Sequence, residues 1–109
     1  DVLRGMISEI RFARQQALLG HNEVRFSVHL GDRIYQSDGH SAKPIPMPLE
    51  VRATVAGTEL HSQGVASIRF LPSGGATGGS IDILRPSGVG TRLRVDWLSG
   101  QVSQEALSP

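Results

Sequence analysis

The chain has 109 residues, with ten acidic side chains against eleven basic ones and no cysteine. That length fits one domain able to bury about two-thirds of its unfolded surface, which excludes a multidomain reading. The charge balance supplies no global field toward nucleic acid or an anionic membrane, and the missing cysteines exclude disulfides, thiolate metal sites and cysteine nucleophiles.

The opening, DVLRGMISEIRFARQQALLG, predicts an amphipathic helix over residues 1–20. Val2, Leu3, Met6, Ile7, Ile10, Ala13 and Ala17 recur at three- and four-residue spacing, Arg4, Glu9, Arg11, Arg14 and Gln15 fall off that stripe, and Gly20 stops it. The stripe is already running at Val2 and Leu3, with only Asp1 available as a cap, as expected for a helix entered partway along. No apolar run in the sequence is long enough to span a bilayer, and no signal-peptide pattern opens it. Either the protein is cytosolic or a targeting segment has been removed; the early stripe favours the second, and a short helix that begins here is the alternative.

After Gly20 the period changes to two. Val24, Phe26, Val28 and Leu30 alternate with Arg25, Ser27 and His29, and Gly31-Asp32 marks a hairpin before RIYQ. Residues 37–48, SDGHSAKPIPMP, read as a surface loop, in which Ile45, Met47 and the following Leu49 either form an exposed contact patch or tuck over a sheet edge. Strand pattern resumes in LEVRATV. Gly57 and Gly64 flank a polar segment, and VASIRFL and SIDIL supply further strands.

Between those two strands lies SGGATGGS. A phosphate-cradling loop needs its glycines between a strand and a helix N-terminus, with amides and helix dipole aimed at the anion. Here the segment leads into a strand, so Gly74, Gly75, Gly78 and Gly79 read as structural turn residues, joined by Gly100 at the closing Ser99-Gly100 turn. In TRLRVDWL, Leu93, Val95 and Trp97 are expected to face the core, and SQEALSP to fray after a short strand near Val102.

Nothing in the pattern supports catalysis or a cofactor. His21, His29, His40 and His61 match no ligand spacing and read as ordinary surface histidines. Gly-x-Ser-x-Gly is absent, so no nucleophile elbow is indicated. The expectation is no catalytic residue, no metal ligand and no cofactor. The fold expected is α+β: one helix (1–20) whose stripe is buried against six or seven antiparallel strands (21–104), followed by a tail (105–109), all in one domain.

Three stretches carry a family resemblance. RFARQQALLGHNEVRFSV, IRFLPSGGATGGSIDIL and GTRLRVDWLSGQV together resemble the soluble part of the H-type minor pseudopilins of type II secretion (GspH) and the related FimT-like minor pilins. That family has an Ala-Arg pair near the end of its long helix, followed by another alanine, as Ala13-Arg14 and Ala17 are here. Its Phe-x-Pro-x-Gly-x-Ala-x-Gly-Gly segment is matched by Phe70, Pro72, Gly74, Ala76, Gly78 and Gly79. Its arginine-bearing strand closed by a Thr/Ser-Gly turn is matched by Arg92, Arg94, Val95, Ser99 and Gly100. Residues 31–65 carry little of the likeness.

The resemblance implies a pseudopilin or type IV pilin-like fold and structural work rather than chemistry. The implied subunit is anchored in the inner membrane of a Gram-negative bacterium by an N-terminal helix, with its domain in the periplasm. It joins the pseudopilus at or near the tip and supports export of folded proteins. The partners implied are the other minor pseudopilins of the tip, the major pseudopilin and secreted proteins. Arg4, Arg11 and Arg14 on the outer helix face, with Ile45 and Met47 in the loop, are the candidate assembly contacts. The alternative is a FimT-like pilin that binds DNA during uptake. Such relatives carry Gly-Arg-x-Arg at the closing turn, where this chain reads Gly100-Gln101-Val102-Ser103, which argues against nucleic acid; Arg85, Arg92 and Arg94 would have to cluster in its place.

Overall fold

The computed structural model describes residues 1–61 and 64–109. Helix α1, Val2–Gly20, buries Val2, Met6, Ile7, Ile10, Ala13 and Ala17 of the stripe expected from spacing, leaves Leu3 half-buried, and adds Glu9. Asp1 does cap the helix, its carboxylate accepting from the Arg4 amide at 2.9 Å. The chain leaves the helix through His21 rather than Gly20, with His21 in the left-handed region at φ 51°.

Two antiparallel sheets follow. The first has the order β3-β2-β1-β6-β5, from β1 (Val24–His29), β2 (Ile34–Ser37), β3 (Lys43–Pro44), β5 (Leu60–His61) and β6 (Val65–Phe70). The second is β4-β7-β8-β9, from β4 (Glu50–Val55), β7 (Gly79–Leu84), β8 (Gly90–Val95) and β9 (Val102–Leu107). The polar segment expected between Gly57 and Gly64 forms a 3-10 turn at Gly57–Glu59 and the short β5; its residues 62 and 63 lie outside the described residues.

Alternation places one face of each sheet inward. Val24, Phe26, Val28, Tyr35, Ile68 and Phe70 from the first sheet meet Ile81, Ile83, Leu93 and Val95 from the second around the helix stripe, in one continuous core. Gly5 sits where a Cβ would overlap the Tyr35 hydroxyl, so its place inside a helix reflects the close approach of β2.

Three expectations are corrected here. Ile45 is buried, only 4% exposed, because β3 pairs with β2 and the Ile45 amide donates to the Arg33 carbonyl oxygen at 2.8 Å, which carries the side chain into the core; it is not a surface contact. Trp97 is 66% exposed. β8 ends at Val95, and Asp96 opens a turn in which its carboxylate accepts from the Ser99 amide at 2.8 Å and its carbonyl oxygen from the Gly100 amide at 2.7 Å. The alternation that held Leu93 and Val95 inward is broken before it reaches position 97. Finally, residues 102–107 are a full strand paired with β8 from Val102↔Val95 to Leu107↔Gly90, not a frayed tail. As an edge strand lying mostly in solvent, β9 needs no apolar alternation to form, which is why SQEAL gave no signal. Trp97→Ser is expected to shift stability by less than about 0.5 kcal/mol in urea unfolding, the range of exposed substitutions.

Candidate assembly site

The three stretches that carried the resemblance, far apart in sequence, meet at the C-terminal end of α1. Arg14 Nε donates to the Ser99 carbonyl oxygen at 3.1 Å. Gly100, at φ 71°, lies against the glycine-rich loop so closely that a Cβ there would stand 2.5 Å from the Gly74 carbonyl oxygen and 3.3 Å from Arg14 Nε. The loop is stitched to both neighbours: the Ala76 amide donates to the Trp97 carbonyl oxygen at 2.8 Å, the Thr77 amide to that of Arg69 at 2.9 Å, and the Arg69 amide to Thr77 Oγ1 at 3.0 Å. This clasp joins β6 of the first sheet, β7 and β8 of the second, and the helix end. Gly74, Gly78, Gly79 and Gly100 all have positive φ, whereas Gly75 is held by proximity, its Cβ position 3.0 Å from the Trp97 carbonyl oxygen. The loop leads into a strand, and its Gly74, Ala76 and Thr77 amides donate to protein carbonyl oxygens.

Of the candidate contacts, Arg4 and Arg11 stand exposed on the outer helix face, Met47 is 75% exposed, and Arg14 is half-buried in the clasp. Among the described residues, the side chains of Arg4 and Arg11 make no ion pair. Between the helix face and the edge of β9 runs a groove in two segments. One, about 250 Å³, is lined by Ile10, Arg11, Arg14, Gln15 and residues 100–102. The other, about 320 Å³, is lined by Arg4, Ile7, Ser8, Arg11 and Gln104.

Sequence reasoning missed the cluster on the opposite flank of the helix. Glu9, 1% exposed, receives Lys43 Nζ at 3.0 Å, His40 Nδ1 at 3.0 Å and the Ser37 amide at 3.3 Å, while Ser37 Oγ donates to the Glu9 carbonyl oxygen at 2.7 Å. The His40 ring stacks on Phe12 with centroids 3.5 Å apart. Burial pushes the Glu9 carboxyl up, but the hydrogen bonds from Lys43 and His40 and the neighbouring Lys43 charge outweigh it and hold the group below its ordinary 4.5; Lys43 is raised in turn by its hydrogen bond to Glu9. This carboxylate pins the 38–45 segment to the helix, so His40 is a packing residue rather than a bare surface one. Nothing in the spacing of Glu9, His40 and Lys43 announces the contact, because it joins segments about thirty residues apart.

The outer face of the second sheet is charged but internally paired. Arg92 grips Asp82 with two bonds of 2.7 and 3.0 Å and holds its carboxyl below the ordinary 3.8, and Arg94 Nε bonds Glu105 at 2.7 Å. Arg85 stands apart, at the end of β7 beside Val89 and Gly90. Among the described residues, the three arginines on which DNA binding would depend thus form no free cationic cluster. Among the described residues no three His, Asp or Glu side chains are grouped to hold a metal ion, and no helix is long and apolar enough to cross a membrane.

A helix laid across two antiparallel sheets and locked at its far end by a glycine clasp defines a pilin-like subunit domain. Solved structures agree on the fold. The minor pseudopilin EpsH from the type 2 secretion system of Vibrio cholerae superposes with a TM-score of 0.69 at 12% identity, over 97% of this chain and 93% of that one. The type IV minor pilin FimU of Pseudomonas aeruginosa superposes with a TM-score of 0.65 at 13% identity, over 94% and 84%. The fold alone therefore does not separate pseudopilin from pilin. The sequence does: a model of the family described as type II transport protein GspH matches residues 3–100, and the chain belongs to that family, the H-type minor pseudopilins. No curated protein matches the chain.

Proposed function

We propose that the protein is a structural subunit of the type II secretion pseudopilus, held in the inner membrane with its domain in the periplasm, and that it assembles at or near the tip to support export of folded proteins. The family match through residue 100 carries this reading. The geometry supports it: Glu9, Lys43, Asp82 and Arg92 are held in internal ion pairs, whereas Arg4 and Arg11 stand on an exposed helix face and make no ion pair among the described residues. On this reading the domain is a building block and not an enzyme, its partners are the other minor pseudopilins and the major pseudopilin, and secreted proteins meet the assembled tip.

Deletion of the gene, followed by assays of exoprotein release and DNA uptake in one strain, tests the proposal. Secreted enzymes are expected to accumulate in the periplasm while uptake is unchanged. Loss of uptake with intact secretion would instead assign the protein to a DNA-uptake pilus.

A further inference from the structure

We propose that the groove between α1 and β9 receives an extended, acidic segment of a partner protein, which adds as a strand to the free edge of β9. Sheet order leaves β9 at an edge, paired only with β8 among the described residues, so one row of its backbone N–H and C=O groups lacks a strand partner. Such an edge is usually blunted by lysine, proline or a bulge; β9 reads VSQEAL and has none of these, and its pairing with β8 is regular from end to end.

The opposite wall selects the charge. Arg4, Ser8, Arg11 and Gln15 follow one another at spacings of four, three and four residues, one exposed stripe of the helix. The two segments of the groove share Arg11, and their linings together contain three arginines, Arg4, Arg11 and Arg14, and no aspartate or glutamate. The nearby Glu105 is turned to the other face of the sheet, where it bonds Arg94. Among the described residues, Arg14 alone of these arginines has a protein acceptor, and that is through Nε.

The two walls are of similar length: from Arg4 to Arg14 the helix rises about 15 Å, and the facing residues, 100–102 and Gln104, extend over about 14 Å. Gln104 lies beside Arg4 and Arg11, and Val102 beside Arg11 and Arg14, so helix and strand run antiparallel along the groove. A strand placed there turns every second side chain toward the helix, at a repeat of about 6.8 Å. Carboxylates at alternating positions then reach the arginines while the backbone pairs with β9. The inference rests on the subunit reading only for where the segment comes from, a neighbour in the assembly; the binding mode stands on the groove itself.

The test uses a capped peptide of about eight residues, a typical strand length, alternating glutamate with threonine. It is titrated into the isotope-labelled chain beside a lysine-for-glutamate control and two N-methylated versions, methylated in the two alternating phases. The expected result is saturable binding that shifts the amides of residues 102–107 and slows their exchange, absent for the lysine peptide. One methylated phase should lose binding and the other keep it, because only one phase turns its N–H groups toward β9. Arg4→Glu and Arg11→Glu should each weaken binding about tenfold or more, attraction having become repulsion, with an unchanged thermal midpoint. Equal binding of both methylated peptides, equal binding of the lysine peptide, or no binding at millimolar peptide would each overturn the proposal. Secretion by the deletion strain judges the subunit reading separately: normal secretion without the gene sinks that reading whatever the peptide does, whereas failed peptide binding sinks only the groove.

Discussion

Gly79→Val is expected to lower the thermal midpoint of the domain by about 12 °C or to prevent folding outright. Gly79 opens β7 at φ 137°, pairing with Val55 of β4 on one side and Val95 of β8 on the other. A Cβ there would stand 2.6 Å from the Thr54 carbonyl oxygen and 3.3 Å from the Val55 Cα. Both obstacles are backbone, so no rotamer change relieves them, and the left-handed φ strains any β-branched residue on its own account. Strain of about 1–3 kcal/mol adds to displacement of a strand costing a similar amount, for a total near 3 kcal/mol. Ser80→Val, one residue on in the same strand, should change the midpoint by no more than about 2 °C and serves as the control for β-branching alone. Circular dichroism melts of the two variants decide it: an unchanged midpoint for Gly79→Val would mean that the glycines are not needed for the fold and that their loop has some other use.

The glycine segment was legible because its constraint is local. Positive φ and close backbone approach exclude side chains, and the sequence records this as glycine at 74, 78, 79 and 100. The helix stripe and the alternating strands were legible for a related reason, since each reports a periodic burial that one element carries by itself. Glu9 was not: its burial depends on Lys43, His40 and Ser37 arriving from a loop without periodicity, and at position 9 it looks like any residue off the stripe. Ile45 followed the same loop inward. Trp97 failed in the opposite direction, because parity counted forward from Leu93 and Val95 cannot see that Asp96 begins a turn.

The assembly surface was legible in part. Arg4 and Arg11 do face outward, as the helical period required, and Met47 is exposed. Arg14 belongs to the same outer set by spacing, yet its guanidinium is drawn onto the Ser99 carbonyl oxygen. That contact gives a physical reason for the Ala13-Arg14 pair: alanine lets the helix lie close against the sheets, and arginine reaches past it to close the clasp. The edge of β9 was invisible in the sequence, since a strand open to solvent carries no burial pattern to read.

Glu9→Gln is expected to cost about 2 kcal/mol at pH 7, and the cost should shrink as pH falls, the behaviour that separates a charge effect from a packing one. The wild-type carboxyl is held below its ordinary value of 4.5 in the folded protein, so the unfolded chain takes up its proton first as acid is added. The stability this group contributes is therefore present in full above about pH 5.5, declines below pH 4.5, and is lost as pH passes down through the folded value. Glutamine keeps the size and an acceptor for the Ser37 amide but cannot form the charged bond to Lys43. Asp82 and Asp96 are likewise held low, by Arg92 and by the hydrogen bonds from Ser99, and weaken both proteins in acid alike. For that reason the informative quantity is the difference between wild type and variant, not either curve alone. Urea unfolding across a series from pH 7 into acid should give a gap of about 2 kcal/mol at pH 7 that narrows steadily as pH falls below 4.5. A gap that stays constant would show that Glu9 holds the 38–45 segment by shape, with its charge contributing nothing to the fold.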